Sequence, residues 1–379
     1  MVAVIALVVT GFCLQSMAAG ASAPRACGSW TVVPSPDAGS NGSTLAGVSA
    51  ASRTDAWAVG SSFTGSIYRT LIEHWDGSAW SVQPSPNVGS RTNALTAVAA
   101  LSATNVWAVG YYDDGTTFRT LAEHWNGSVW SVVATPNVGT DENVLESVSA
   151  AGPSDLWAVG YRQDSPETAR QTLALRWTGS AWSVVSTPAT SGDSYLFSVR
   201  ARTATDVWAV GSYSVPWFQT LTEHWNGSSW TVVDSPNQGN GNNVLYAAVV
   251  LSSTSAVAVG NWIDGNQTAT LTQYWNGTSW AVVPSPSPAG YVNFLIGAEA
   301  SAPNNVWAVG WGLQAPFGTS RNLAEHWNGH AWKVVPTPNV GADANALAMV
   351  ARIPGTTGFW AVGNFEQGGS NHTLVEFRC

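Results

Sequence analysis

The octapeptide E-H-W-N-G-S-V-W at residues 123–130 recurs with small changes along the chain. Close copies read EHWDGSAW at 73–80, EHWNGSSW at 223–230 and EHWNGHAW at 325–332. Self-similarity at a period of about fifty residues is the signature of a repeat architecture, in which every copy folds as one unit. The repeat therefore decides the fold class, ahead of the two or three domains that 379 residues would otherwise suggest.

Three columns of tryptophan run through the repeats. Seven copies align on the tetrapeptide W-A-V-G, whose first residues are Trp57, Trp107, Trp157, Trp208, Val257, Trp307 and Trp360. The second column is Trp75, Trp125, Trp177, Trp225, Trp275 and Trp327, and the third is Trp30, Trp80, Trp130, Trp182, Trp230, Trp280 and Trp332. We predict that these rings pack between neighbouring units and have a structural role.

Each copy contains four runs of strand length. In the second copy they are rich in β-branched and aromatic residues and are separated by turn-forming residues, at 95–100, 106–112, 118–125 and 129–136. This pattern predicts a four-stranded antiparallel sheet. Asn126-Gly127 lies between the last two runs, and we expect a two-residue hairpin there with positive φ at both residues.

Seven such sheets predict an all-β fold, a seven-bladed β-propeller with four antiparallel strands per blade. Strands A, B, C and D of each blade are expected in that order from the central channel outward. The seventh copy ends after its strand C at 373–378, whereas the segment GSWTVVPSP at 28–36 is a strand D with no A, B or C before it. We therefore expect the N-terminal strand to close the last blade, which removes open sheet edges.

Two cysteines flank this junction. In the repeat alignment Cys379 falls at the position of Asn126 and Cys27 at that of Gly127. We predict a Cys27–Cys379 disulfide that replaces the hairpin turn of the other blades; two unrelated thiols are the alternative. The bond would close a loop of about 350 residues and contribute roughly 5 kcal/mol at most in chain-entropy models. It also implies an oxidising compartment.

Residues 1–23 differ from the repeats. An apolar run at 2–14 is followed by small residues with A-x-A patterns, which is typical of a secretory signal peptide. No Lys or Arg precedes the run, so the signal is atypical or the true start lies upstream. An uncleaved anchor and lipidation at Cys13 are the alternatives. We expect a secreted, monomeric protein whose mature part, 24–379, is a single propeller domain without a membrane span.

Charge argues against one class of partner. The formal net charge is −9 and the only lysine is Lys333, so no basic face is available to neutralise phosphates. We therefore expect no binding to nucleic acid. Only 10% of the residues are charged while 22 are tryptophan, a composition that favours a packed core over disorder.

The motif D-x-W-A-V-G followed by W-N-G-S-x-W resembles the repeats of secreted bacterial β-propeller proteins in the broad kelch and BNR (Asp-box) group. The resemblance covers nearly all of residues 28–379. It departs from a strict Asp-box because Asn and Gly are adjacent, and the Gly-Gly pair of kelch repeats is missing. The resemblance implies the propeller fold but no single activity, because propellers serve as lectins, enzymes and scaffolds.

Alternating strand direction puts the A–B and C–D turns on one face of the disc, the turn face, and the B–C and D–A loops on the other, the loop face. On the turn face, Asp or Asn stands two residues before the W-A-V-G position, where we expect it to cap a turn: Asp55, Asn105, Asp155, Asp206 and Asn305. We expect this face to be structural. Glu-His pairs alternate across a strand, so we expect them to tie neighbouring blades by hydrogen bonds, at 73–74, 123–124, 223–224 and 325–326.

The loop face varies from copy to copy and carries aromatic residues beside Asn, Asp and Gln. The candidate ligand-binding residues there are Tyr111, Tyr112, Tyr161, Tyr213, Trp217, Trp262, Trp311 and Phe365. Flat rings that stack on a sugar, with amides that bond its hydroxyls, are the components of a carbohydrate site. Packing of these rings on the strand ends is the alternative.

The sequence contains no motif for catalysis or for a cofactor, since zinc-like spacing, a nucleophile elbow and a phosphate loop are all missing. We therefore expect no catalytic residue, no metal and no cofactor. Calcium held by Asn137, Asp141 and Asn143 is an alternative that lacks EF-hand spacing. A hydrolase or lyase would need converging carboxylates, for which the acidic loop residues are Asp113, Asp114, Asp164, Asp264 and Glu366.

Secretion and the aromatic loop face together predict a binding module that recognises a glycan or a cell-surface polysaccharide. The alternative is a scaffold for protein–protein contacts at the cell surface. A propeller hydrolase or lyase is a third hypothesis. Because a site repeated in every blade would need uniform loops, the variation suits one composite site or a protein partner better.

Overall fold

The computed structural model describes residues 28–39, 41–265, 267–314 and 318–379. These residues form seven antiparallel sheets of four strands each. No helix within the described ranges is long and apolar enough to cross a membrane. The structure therefore confirms the predicted all-β fold and the number of blades.

The strands are given in chain order by blade. Blade 1 contains β2 (Ser43–Ser52), β3 (Asp55–Phe63), β4 (Tyr68–Trp75) and β5 (Trp80–Gln83), and β1 (Thr31–Val32) precedes it. Blade 2 contains β6 (Asn93–Ser102), β7 (Asn105–Asp113), β8 (Phe118–Trp125) and β9 (Trp130–Val132). Blade 3 contains β10 (Asn143–Gly152), β11 (Asp155–Arg162), β12 (Gln171–Trp177) and β13 (Trp182–Val185). Blade 4 contains β14 (Ser194–Thr203), β15 (Asp206–Ser214), β16 (Phe218–Trp225) and β17 (Trp230–Val232).

Blade 5 contains β18 (Asn243–Ser252), β19 (Ser255–Asp264), β20 (Gln267–Trp275) and β21 (Trp280–Val282). Blade 6 contains β22 (Tyr291–Ala302), β23 (Asn305–Gln314), β24 (Ser320–Trp327) and β25 (Trp332–Val334). Blade 7 contains β26 (Asn345–Arg352), β27 (Phe359–Gln367) and β28 (Ser370–Arg378), and its fourth strand is β1.

Tryptophan rings fill the space between blades. Trp57 of blade 1 lies against Trp125 and Trp130 of blade 2, with ring centroids 5.1 and 5.3 Å apart. The two rings of blade 2 face each other across the hairpin at 6.0 Å. The same three-ring contact recurs around the disc, and blade 5 supplies Val257 where the others supply tryptophan. The structure confirms the structural role predicted for the three columns.

The N-terminal strand closes the ring. Thr31 pairs with Phe377 and Val32 with Glu376, so β1 is the outer strand of blade 7. Trp30 meets the ring of Trp307 in blade 6 edge-on at 5.4 Å. This confirms the predicted closure. Cys27 and the predicted signal peptide lie outside the described residues, so the disulfide to Cys379 and the secretion signal stay predictions.

The hairpin turns differ from the prediction in one respect. Among the described residues only glycines have positive φ, so Asn126 does not adopt the left-handed conformation that we expected, whereas Gly127 does (φ 97°). Asn126 acts through its side chain instead, because Oδ1 accepts the backbone N–H groups of Ser128 and Val129 at 3.0 and 3.1 Å. An Asx turn of this kind accepts Asp as well as Asn, which explains Asp76 in blade 1.

The first strand of every blade lines the axis and contains a β-bulge at the same place. In blade 2 the register shifts between Leu95 and Ala97, which leaves Thr96 as the extra residue. Gly110 lies opposite, where a Cβ would collide with the carbonyl oxygen of Ala94, so the last residue of W-A-V-G has to be glycine. We name the seven extra residues the bulge ring: Ala46, Thr96, Glu146, Phe197, Tyr246, Ile296 and Ala348.

Candidate functional site

The turn face is held by one bonding unit that recurs with small changes. The Asp55 carboxylate accepts the indole N–H of Trp57 and bonds His74 Nε2, both at 2.9 Å. The predicted role of Asp55 and its equivalents as turn caps is therefore wrong: they join strand B to strand C through side chains. In blade 3 Arg176 replaces histidine and binds Asp155 through two hydrogen bonds of 2.8 Å.

The Glu-His pairs divide between two environments, as strand alternation requires. The histidines bond within their own blade, so the expectation that they join neighbouring blades is wrong for them. The glutamates do lie between blades: Ser85 of blade 1 donates to Glu123 Oε2 at 3.4 Å. Both oxygens of Glu73 and of Glu223 are buried without a described partner. Burial raises the pKa of Glu123 to about 8.

The acidic loop residues mostly serve their own loops. Arg119 donates to Asp114 at 2.7 Å, Arg162 pairs with Asp164, and Asp113 accepts the backbone N–H of Gly115 at 2.7 Å. The described ranges contain no cluster of three or more His, Cys, Asp or Glu residues that could hold a metal ion.

The oxygens proposed for calcium also have partners within the protein. Asn137 Oδ1 accepts the N–H of Thr120 at 2.9 Å, and Asn143 Oδ1 accepts that of Val138 at 2.8 Å. The geometry thus gives these loops a folding role.

The aromatic candidates of the loop face separate by strand alternation. The candidates at the second position after the W-A-V-G glycine pack into the clusters between blades: Tyr112, Tyr213, Trp262 and Phe365. The candidates directly after the glycine lie on the other side of the strand, and they are Tyr111, Tyr161 and Trp311. Trp217 lies at a loop tip and is 57% exposed. The structure therefore brings only part of the predicted set towards a common surface.

Four aromatic residues that the sequence reasoning missed complete this surface. Tyr195, Phe197, Tyr246 and Phe294 lie on first strands, which the repeat pattern marks as core. Phe197 and Tyr246 belong to the bulge ring, and their ring centroids are 5.3 Å apart. A signal was present in the alignment, because blades 1, 2 and 7 have Ala46, Thr96 and Ala348 where blades 4 and 5 have aromatic rings.

These rings wall a cavity of about 320 Å³ between blades 4 and 5 at the loop face, which we name the loop-face cavity. Its lining consists of Tyr195, Phe197, Ser212, Phe218, Asn242, Val244, Tyr246, Asn261, Ile263 and Phe294. The rings of Trp311 and Phe294 lie tilted against each other with centroids 4.3 Å apart, and those of Tyr161 and Tyr195 are 5.1 Å apart. The aromatic surface therefore extends from blade 3 to blade 6.

Charged groups at the blade 3 edge of this surface are paired with one another. Arg170 binds Glu142 at 2.8 Å, reaches the hydroxyl of Tyr195 at 3.5 Å and lies over the ring of Tyr161. Burial raises the pKa of Glu146 to about 7 and that of Tyr161 above its usual value. The edge is thus held rigid by paired charges, while the cavity itself is neutral.

The channel has a different character towards the turn face. Small residues of the first strands line a space of about 280 Å³ there. Arg200 of blade 4 reaches across it, donating to the carbonyl oxygens of Ala248 and Ala298 at 2.9 and 3.1 Å, with Glu299 3.7 Å away. The guanidinium thereby joins three blades.

Comparison with known proteins supports the fold and nothing finer. The chain is similar to the structure of YCF48 bound to D1 peptide (14% identity, TM-score 0.54, covering 92% of this chain and 97% of that one). It is also similar to the WD40 β-propeller domain of Doa1 (10% identity, TM-score 0.56, covering 89% and 93%). A protein of unknown function from Dyadobacter fermentans aligns with 11% identity and TM-score 0.50 over 93% and 98% of the chains.

No protein-family model and no curated protein matches the sequence. The kelch and BNR resemblance is therefore not confirmed by these comparisons. The chain belongs to the class of seven-bladed β-propellers on its fold.

Proposed function

We propose that this protein is a secreted, non-enzymatic binding module that recognises a polypeptide partner through its loop face. The observation that carries the proposal is the loop-face cavity, an aromatic-walled pocket that includes bulge-ring positions at which the blades differ. Such concave apolar sites with a few polar groups are typical of ligand binding. One structural neighbour, YCF48 bound to D1 peptide, is consistent with this class of function.

The lining of the cavity favours a peptide over the glycan that the loop composition suggested. Apart from the hydroxyls of Tyr195 and Tyr246, only Ser212, Asn242 and Asn261 contribute polar side chains to the lining. Tyr195 already accepts from Arg170 at 3.5 Å, and Asn242 Oδ1 accepts the N–H of Phe218 at 2.9 Å. A pyranose in this space would bury several hydroxyls without partners, at about 1–3 kcal/mol each. An apolar side chain needs no partners and gains from burial against the rings.

Charge supports the same choice of ligand. The protein carries a net charge of −9, and Asp264 at the edge of the cavity has no ion pair among the described residues. A partner with an apolar residue and neighbouring cations would match both the cavity and its acidic rim. Glycan binding elsewhere on the loop face is the second candidate, because Trp217 is exposed there.

A displayed library of random twelve-residue peptides and a glycan array, probed with the same protein, test the proposal. We expect peptides to be selected and to lose at least about tenfold in affinity against a Phe197→Ala/Tyr246→Ala double variant. Tyr68→Ala is the matched control, because it removes an aromatic ring from the loop face of blade 1, where Tyr68 is 46% exposed.

Thermal unfolding of both variants separates lost binding from lost folding. Glycan signals without selected peptides would overturn the proposal. Peptides that bind the double variant as tightly as the wild type would overturn it as well.

A further inference from the structure

Asn261 is the one polar group of the loop-face cavity whose burial the fold does not explain. Its side chain lines the cavity and is 2% exposed, and its buried Oδ1 has no hydrogen-bond partner among the described residues. Asn364 holds the equivalent position in blade 7 and donates to Asn371 at 3.0 Å. Blade 4 has Ser212 at this position, so the fold itself does not need a carboxamide here.

A second buried asparagine, Asn293, also has an oxygen without a partner in the described part of the chain, but here the sequence explains why. The equivalents of Asn293 in other blades accept a backbone N–H from the D–A loop, as Asn93 does from Val88 at 2.8 Å. In blade 6 that loop residue is Pro288, which has no N–H to donate. No such replacement accounts for Asn261, because β19 and β20 pair without interruption around it.

The chemistry of the orphan group defines what would satisfy it. A carboxamide offers one acceptor oxygen and two N–H donors in one plane, which matches a secondary amide at two points. The surrounding wall is aromatic and aliphatic, so an amide that arrives there has to bring an apolar group with it. A peptide residue with a large apolar side chain carries both groups.

The rim of the cavity adds a third requirement. A second pocket adjoins it, sharing Asn242 and Ile263 and adding Trp217 and Asp264. Asp264 has no cationic partner in the part of the chain that the structure describes, and Trp217 presents an exposed ring beside it. A lysine or arginine would gain from the carboxylate and from the ring face together.

We propose that the loop-face cavity takes one large apolar residue of a peptide partner, whose backbone amide pairs with Asn261 while a neighbouring Lys or Arg lies at Asp264 and Trp217. This inference rests on the proposed function and sharpens it to a recognition motif. About 320 Å³ lies at the small end of ligand pockets, which suits one anchoring residue and its amide.

The test uses the tightest peptide from the library selection and the full-length protein. Asn261→Leu keeps the shape and removes the hydrogen-bonding groups, so we expect at least tenfold weaker peptide binding with an unchanged or raised Tm. N-methylation of the anchoring residue removes its N–H and should weaken binding to the wild type to a similar degree. In the Asn261→Leu variant the same methylation should have little further effect, because the two changes remove one interaction.

Asp264→Asn tests the cationic contact separately, and it should reduce both the affinity and its dependence on salt by several-fold. Glu366→Gln in blade 7 is the matched control. Asp193→Asn would not serve as a control, because Asp193 accepts the backbone N–H of Arg170. A structural role for Asn261 predicts the opposite pattern, a lower Tm with unchanged peptide affinity.

The outcomes separate the two proposals. If no peptide is selected, or if selected peptides ignore Phe197→Ala/Tyr246→Ala, the proposed function fails and the motif with it. If peptides need Phe197 and Tyr246 but bind equally well after Asn261→Leu and after N-methylation, only the amide recognition is overturned. Selected peptides without an apolar residue near a Lys or Arg would overturn the motif directly.

Discussion

The two faces of the disc are built from the same strands by opposite rules. On the turn face, side chains such as Asp55, Trp57 and His74 bond one another in an arrangement that other blades repeat. On the loop face, equivalent positions hold Ala46 in one blade and Phe197 in another. The difference indicates that repeated bonds constrain the turn face. On the loop face the D–A loops keep a repeated asparagine bond, but the bulge-ring positions belong to no repeated bond and are free to change. Changes on the turn face should therefore reduce stability, and changes on the loop face should reduce binding.

The largest effect is expected at the predicted Cys27–Cys379 disulfide, which would replace a hairpin turn on the turn face. We predict that Cys379→Ser lowers the free energy of unfolding by up to about 5 kcal/mol, because the Cys27–Cys379 bond would close almost the whole chain. Urea unfolding of the variant and the wild type measures the difference. Wild-type protein in reducing buffer should behave like the variant. A non-reducing peptide map that lacks a Cys27–Cys379 peptide would contradict the prediction.

Tryptophan truncation compares the two environments directly. Trp157 is fully buried between Trp225 and Trp230, so Trp157→Ala should cost about 3–5 kcal/mol. Trp217 is exposed on the loop face, and Trp217→Ala should change stability by no more than about 0.5 kcal/mol. Chemical denaturation measures the free energy of unfolding of both variants. Equal losses of stability would contradict the distinction between the faces.

The glutamates between blades predict a pH dependence. Burial raises the pKa of Glu73, Glu123 and Glu223 from 4.5 to about 8. Between these values the folded chain keeps protons that the unfolded chain has released. The stabilisation is therefore complete below pH 4.5 and is lost as the pH rises through about 8, by up to about 1.4 kcal/mol per pH unit for each group. Unfolding free energies measured from pH 5 to pH 8 should fall.

Glu223→Gln tests the assignment of this slope. Blade 5 already has Gln273 at the equivalent position, donating to Pro236 O at 2.8 Å, so an amide fits the interface. The variant should flatten the pH profile, and Glu366→Gln on the loop face should leave it unchanged. Glu73 and Glu123 still titrate in this variant, so a reduced slope is expected, and an unchanged slope would assign the pH dependence to other groups.

The smallest effect concerns the hairpin turns. Asn126→Ala removes the acceptor of two backbone N–H groups and should cost about 1 kcal/mol, as the loss of a comparable cap does. Asn240→Ala on the loop face is the matched control and should fall within about 0.5 kcal/mol of the wild type. Differential scanning calorimetry resolves the two. If Asn126→Ala has the same Tm as the control variant, the Asx turn does not contribute to the stability of the blade.

The sequence predicts the blades and their closure because those features rest on local chemistry repeated many times. Asn126-Gly127 marks a turn, and Trp30 marks a strand D without its blade. The cavity could not be predicted in the same way, since Phe197 and Tyr246 occupy positions that strand alternation assigns to the core. A one-residue bulge in each first strand re-aims those side chains, and the period of two carries no sign of it. The bond between Asp55 and His74 was missed for a related reason, because His74 lies on the next strand, nineteen residues away.

The pairing of β1 with β28 has a consequence for biosynthesis. Thr31 bonds to Phe377 across 346 residues, so β1 is synthesised long before the strand with which it pairs. At 5–20 residues per second, translation separates the two by roughly 17–70 s. Throughout that interval Leu71 and Trp75 of blade 1 have no blade 7 to cover them. The nascent chain thus presents an apolar surface on blade 1 until blade 7 is made, and a chaperone that covers this surface would help to prevent misassembly.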